Sequence, residues 1–177
     1  MQDRRTSKTR ARIKDAVLKI LRHKSIADIS VTDVCKSVDI SRSTFYLHFD
    51  NISEVVYQAE DGVIEDLRSI MMANISSSSA VVYHIGVYIR KNAETLTTIL
   101  NATESHFVNK IVREIEPVLL SLSDFCNNQK MTRYFVTFLV YGCVGMFRRW
   151  VGEGRDITSS QLIETFIQYF KTFSKEP

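Results

Sequence analysis

Two helix starts only eleven residues apart constrain this chain more than any other feature. Ser30 and Ser41 are both of a residue type whose side-chain oxygen accepts from the free N–H groups of a first helical turn. After Ser30, Asp33 places a negative charge where the helix dipole favours it, and Val31, Val34, Cys35 and Val38 recur on one face. Asp39-Ile40 breaks the pattern. Ser41 then opens a second short segment, Arg42 to His48. Two helices of about seven residues, joined by a turn of three or four, have helix-turn-helix spacing.

The flanking sequence extends the helical reading in both directions. Ile13, Ala16, Val17, Ile20 and Leu21 fall at i, i+3, i+4, i+7 and i+8, which predicts an amphipathic helix over about residues 8–23. Its polar face carries Arg10, Arg12, Lys14, Lys19 and Arg22. Asn51 with Glu54 starts a further helix, predicted over 51–74, whose stripe includes Ile52, Val55, Val56, Val63, Leu67 and Met71. The run Ser76 to Ser79 ends it, because serine competes for backbone bonds and prefers caps and turns. Beyond it the spacing predicts helices over 80–91, 93–100 with Asn92 as cap, about 104–125 with a kink or break at Pro117, 130–151, and one from Thr158. Gly152-Glu153-Gly154 stops the 130–151 helix, and Thr158 with Gln161 forms a capping box for the last. Only six Gly and two Pro occur in 177 residues, too few for the tight turns of a β-rich chain. The fold class is all-α.

Charge is unevenly spread. The first fifty residues hold eleven Lys and Arg against six acids, a balance of +5, while the remainder carries −2. A basic N-terminal module on a mildly acidic body points to a polyanion at one end. The stretch Arg4 to Arg12 reads as an arm that orders on meeting that partner. Cys35, Cys126 and Cys143 form no C-x-x-C pair and suit a reducing compartment. Residues 1–12 lack the apolar core of a signal peptide. The longest apolar run, Tyr134 to Phe147, is fourteen residues, short of the about 20 needed to span a bilayer. The expected location is the cytoplasm, without membrane attachment.

The run Ser41-Arg42-Ser43-Thr44-Phe45-Tyr46-Leu47-His48-Phe49, preceded by Val31-Thr32-Asp33-Val34-Cys35, resembles the DNA-binding signature of the tetracycline-repressor (TetR) family. The resemblance covers about the first 55 residues. It implies an N-terminal three-helix helix-turn-helix domain over 1–52 and a helical regulatory and dimerisation domain over 53–177. It also implies a transcriptional regulator, most simply a repressor, that binds a palindromic double-stranded DNA operator as a homodimer. The residue chemistry agrees with this reading. Arg42 can donate two hydrogen bonds to guanine, and Ser43 and Thr44 are short enough for a close backbone approach to base edges. Tyr46 and His48 offer polar tips suited to phosphates. Ser30, Val31 and Thr32 lie at a helix N-terminus, where free N–H groups attract phosphate, and Lys36 adds a charge nearby. With Ser41, these are the candidate DNA-binding residues. Phe45 and Phe49 read as core.

Three positions depart from the family pattern. Asp39 stands where the turn usually has Gly. Ile52 stands where the fourth helix usually starts with a phosphate-binding Lys. Ser25 and Ile26 replace a Gly and an aromatic. Fewer phosphate contacts mean weaker and less salt-dependent binding.

The last two helices are too apolar for one small domain to cover. Phe138, Gly142 and Met146 on the first, with Phe166 and Phe170 on the second, are the candidate dimer residues. In the family the helices over about 80–126 surround a small-molecule effector. Tyr83, Tyr88, Phe107, Met131 and Tyr134 would suit such a pocket or a plain packed core. An enzyme is not expected: His23, His48, His84 and His106 form no metal-ligand spacing, and no phosphate-binding glycine loop or nucleophile elbow occurs. No cofactor or metal is implied. The rival reading is a helical interaction protein acting through a protein partner without specific DNA binding.

Overall fold

A computed structural model describes residues 2–74, 77–121 and 129–173. The described residues form helices and no strand. In chain order these are α1 (Gln2–Leu21), a 3-10 turn (Ile26–Asp28), α2 (Val31–Val38), α3 (Arg42–Tyr46), α4 (Ile52–Ala73), α5 (Ser78–Lys91), α6 (Ala93–Ser121), α7 (Gln129–Gly152) and α8 (Ser159–Phe173). The chain divides into two compact units, Met1–Val63 with Thr98–Glu104, and Ile64–Thr97 with Ser105–Pro177.

In the first unit, α1, α2, α3 and the start of α4 close around one core. Ile13, Val17, Val34, Phe45 and Val56 are fully buried, with Cys35, Val38, Phe49 and Val55 beside them. The phenyl rings of Phe45 and Phe49 lie 6.0 Å apart and fill its centre. These are the residues of the i, i+3, i+4 pattern, so the apolar period alone decides which face of each helix turns inward. Ile52 joins this core. The position that would carry a phosphate-binding lysine is therefore spent on packing.

Several helix ends follow their sequence signals. The Ser30 hydroxyl accepts from the Asp33 N–H at 3.1 Å. Asn51 Oδ1 accepts from the Glu54 N–H at 2.9 Å. The Thr158–Gln161 box is reciprocal: Gln161 Oε1 accepts from the Thr158 N–H at 2.9 Å, and Thr158 Oγ1 from the Gln161 N–H at 3.2 Å. Gly154 (φ 73°) and Arg155 (φ 60°) follow α7 in left-handed conformation, and the Arg155 N–H returns to the Trp150 carbonyl at 2.8 Å.

Other expectations are corrected. Helix α1 begins at Gln2, so the backbone of the basic stretch Arg4 to Arg12 is helical rather than an arm awaiting its partner. Asn92 stands at the start of α6, its carbonyl accepting from the Leu96 N–H at 2.9 Å, but its side chain turns back to α5, where Nδ2 donates to the Tyr88 carbonyl at 2.9 Å. An asparagine side chain can serve either neighbour, and here it adds a second donor to the Tyr88 carbonyl, which also accepts the Asn92 N–H at 3.0 Å. The expected boundary between the 93–100 and 104–125 helices is a kink at Thr103 (φ −144°, ψ 34°) inside α6, but the break expected at Pro117 is absent and the helix continues through it to Ser121. Pro117 and Arg113 are both exposed, so water can satisfy the Arg113 carbonyl that loses its partner. Residues 122–128, including Cys126 and the rest of the predicted 104–125 helix, lie outside the described residues.

In the second unit α5 packs closely on α8. A Cβ built on Gly86 would stand 2.1 Å from Ile163 Cδ1 and 2.2 Å from its Cγ1. Glycine at this position sets the approach of the two helices. Trp150, buried on α7, donates its indole N–H to the Ile157 carbonyl at 2.8 Å and carries the Arg155 guanidinium over its ring at 5.6 Å. The left-handed Arg155 is thus bonded to Trp150 by its backbone and stacked on it by its side chain.

Candidate nucleic-acid interface

Helix α3 has only five residues, and its neighbours hold it in place. Ser41, extended at φ −74° and ψ 157°, accepts from the Thr44 N–H at 3.1 Å. Its hydroxyl also lies 2.8 Å from both Ser43 Oγ and Thr44 Oγ1, so three short polar side chains cluster around the first turn. The turn before it works through Asp39, left-handed at φ 52° and ψ 62°. This conformation lets the Ile40 N–H reach the Cys35 carbonyl at 3.1 Å and close α2. Asp is among the few non-glycine residues that tolerate it. The Cys35 thiol points to the Ser41 carbonyl at 3.7 Å. Burial pushes that thiol above its ordinary pKa, and the Arg42 charge pulls it back.

Two of the basic residues are used inside the unit. Arg12 donates to the Val38 carbonyl, tying α1 to the C-terminal end of α2. Arg10 donates to Gln58 Oε1 at 2.8 Å and lies over the Phe49 ring at 5.3 Å. Gln58 in turn donates to Glu54 Oε1 at 2.9 Å, and Glu54 accepts from the Asp50 N–H. The chain Arg10–Gln58–Glu54–Asp50 braces the entry to α4 immediately after the α3 segment.

The candidate contact residues remain accessible. Ser30, Lys36, Ser41, Arg42 and Ser43 are exposed, while Val31, Thr32, Thr44 and His48 are part-buried. Tyr46 is 48% exposed, its ring edge-on to Phe45 at 5.6 Å. The rigid buried phenyl thus supports the tyrosine and leaves its hydroxyl free to reach outward. One residue of the run was not assigned a role from sequence: Leu47 is 82% exposed. The signal was available, since a position two beyond Phe45 and two before Phe49 falls opposite both on a helical turn.

Among the second unit's candidates, Phe138 and Gly142 are exposed and Met146 is part-buried. The side chains of Phe166 and Phe170 lie outside the described residues. Met131, Tyr134 and Tyr141 join Phe138 as exposed apolar residues of α7. Of the residues considered for an effector pocket, Tyr83, Met131 and Tyr134 are exposed on the single chain and Phe107 is buried. Tyr88 donates to Asp66 Oδ2 at 3.0 Å; burial, with this carboxylate beside it, holds its hydroxyl well above the usual phenol range. Among the described residues no cluster of His, Cys, Asp and Glu is arranged to hold a metal. No described helix is long and apolar enough to cross a membrane.

Comparison with known proteins places this arrangement. Residues 76–172 match a family model of the TetR type described as a transcriptional regulator C-terminal region. Among solved structures, the chain is similar to a TetR transcriptional regulator from Streptococcus agalactiae 2603V. The TM-score is 0.73 at 17% sequence identity, over 99% of this chain and 98% of that one. At that identity the likeness is one of fold. No curated protein matches the sequence significantly.

Proposed function

The chain belongs to the TetR family of transcriptional regulators, and from that premise we propose that it binds an inverted-repeat DNA operator as a homodimer and represses transcription there. Residues 1–52 are the DNA-binding domain in this reading and 53–177 the regulatory and dimerisation domain. The observation that carries it is α3: a capped helix, locked by Phe45 and Phe49 into the core, with Ser41, Arg42, Ser43 and Tyr46 exposed. Arg42 reads a guanine, Ser43 and Thr44 allow close approach, and Tyr46 and His48 hold phosphates. Ser30, Val31 and Thr32 place the α2 N-terminus on the DNA backbone, with Lys36 beside it.

The dimer is supported by α7. Met131, Tyr134, Phe138 and Tyr141 follow one another at helical spacing, are 56%, 74%, 68% and 49% exposed, and leave an apolar face uncovered on the single chain. Gly142 and Gly145 lie along it, and a Cβ at either would meet nothing within 4 Å. A second copy related by a twofold axis covers such a face and matches the symmetry of an inverted repeat. A small-molecule effector, in the same reading, acts through α4, which contributes residues to both units.

Selection of bound duplexes from a random pool, followed by anisotropy titration at two salt concentrations, tests the proposal. The expected result is an enriched inverted repeat whose affinity falls steeply with salt. Absence of enrichment would refute it in favour of a protein-interaction role. With the enriched site placed over a promoter, in vitro transcription should fall as protein is added; a rise would make the protein an activator.

A further inference from the structure

Every other apolar residue from Val34 to Phe49 except Ile40 and Tyr46 is buried, yet Leu47 is 82% exposed. A single exposed leucine on an ordinary surface carries no message. The position of Leu47 is not ordinary. Its N–H bonds to the Ser43 carbonyl at 3.0 Å, and the Phe49 N–H to the Phe45 carbonyl at 3.0 Å, so the helical turn of α3 continues through these residues. At about 100° per residue, Phe45 and Phe49 define the inward face, and Ser43 and Leu47 stand together on the opposite one. The leucine is thus at the centre of the face that α3 presents outward, with the small Ser43 one turn before it and the half-exposed Tyr46 at its side.

Resting on the operator reading above, we infer that Leu47 is a specificity residue that packs against the 5-methyl group of a thymine in the major groove. Among the groups a base pair shows in that groove, the thymine methyl alone projects an apolar carbon; cytosine has only a C5–H there, and the other groups are hydrogen-bond donors and acceptors that leucine cannot satisfy. A leucine held against a purine would bury a polar edge without a partner, and against the C5–H of cytosine it would lose the methyl contact. The contact therefore selects T by attraction and disfavours purines by desolvation. Arg42, five positions earlier on the same short helix, reads a separate base pair, so the two residues specify different positions of each half-site.

The full-length protein and the duplex enriched by selection are the materials for the test. Each thymine is replaced in turn by deoxyuridine, which removes the methyl and leaves every hydrogen-bonding group in place. At one position of each half-site the wild-type protein should lose about fourfold in affinity, the value of one methyl withdrawn from contact. Replacement in both half-sites should cost about fifteenfold. Leu47→Ala should bind thymine and uracil equally at that position and keep the wild-type response elsewhere. Because the side chain is exposed, this variant should melt with the wild type, and Leu47→Gln provides a second variant of similar length that lacks the apolar end. The inference is overturned if uracil is tolerated at all positions of an enriched operator, or if Leu47→Ala retains the thymine preference; either result leaves the operator reading intact. Failure to enrich any duplex would overturn both.

Discussion

The close approach of α5 to α8 gives a prediction whose sign reverses with its background. In Gly86→Ala the new Cβ would stand 2.1 and 2.2 Å from two atoms of Ile163, distances that force that side chain out of its place. Overpacking of this kind costs about 1–3 kcal/mol. Alanine in a helix interior recovers about 0.8–1 kcal/mol over glycine. The net expectation is a loss of about 1 kcal/mol, a fall of about 2–4 °C in Tm for a chain of this size. Ile163→Ala removes Cγ1 and Cδ1, and the remaining contact is the Ile163 Cβ at 3.4 Å, ordinary van der Waals distance. In that background Gly86→Ala has only its helix propensity to express, and it should stabilise by about 0.8–1 kcal/mol. Urea unfolding of the four proteins at one fixed concentration measures the cycle, with an expected coupling of about 1–3 kcal/mol. Additivity within about 0.5 kcal/mol would mean that Gly86 does not set the distance between these helices.

Other expectations follow from the first unit and from α7. Asp39→Gly should stabilise by up to about 1 kcal/mol, the left-handed penalty relieved less the extra freedom given to the unfolded chain; a lower urea midpoint would contradict it. Ser41→Ala removes the α3 cap and should cost about 1 kcal/mol with a parallel loss of operator affinity, read by melting and anisotropy. Lys36→Ala should lower the slope of log affinity against log salt by about 1, whereas Arg12→Ala should lower Tm and leave that slope unchanged, since its guanidinium is engaged with Val38. Phe138→Glu should yield monomers in sedimentation equilibrium and abolish tight binding to the full inverted repeat.

What could be read from sequence was what is decided locally. Ser30, Ser41, Asn51 and Thr158 cap helices because the donor each side chain satisfies is three residues away. The same locality exposed the core of the first unit, whose buried set repeats the apolar period. The direction of the Asn92 side chain was not legible, because an asparagine between two helices can bond the first turn of one or the last turn of the other. Arg10 and Arg12 were counted towards an external polyanion because charge has no direction in a sequence; Gln58, forty-eight residues from Arg10, and the Val38 carbonyl supply that direction. Pro117 looked like a break because its cost was assessed without its exposure. The boundary expected between residues 100 and 104 falls at Thr103, and what sequence did not show is its hydroxyl donating to the buried carboxylate of Glu60, a pairing between residues forty-three apart.

The packing of Ile52 into the core bears on how such a regulator would find its site in a genome. A lysine there would add the same attraction to every stretch of duplex, operator or not, because phosphates carry no sequence information. That contribution cancels when one operator competes with the rest of a chromosome for a protein already held on DNA. Occupancy in the cell is then set by the ratio of the two affinities, which in the proposed reading Arg42 and the outward face of α3 govern. A chain that gives up a phosphate contact for a better-packed module loses absolute affinity in a test tube and forfeits nothing in selectivity. It also spends less time detained at irrelevant positions.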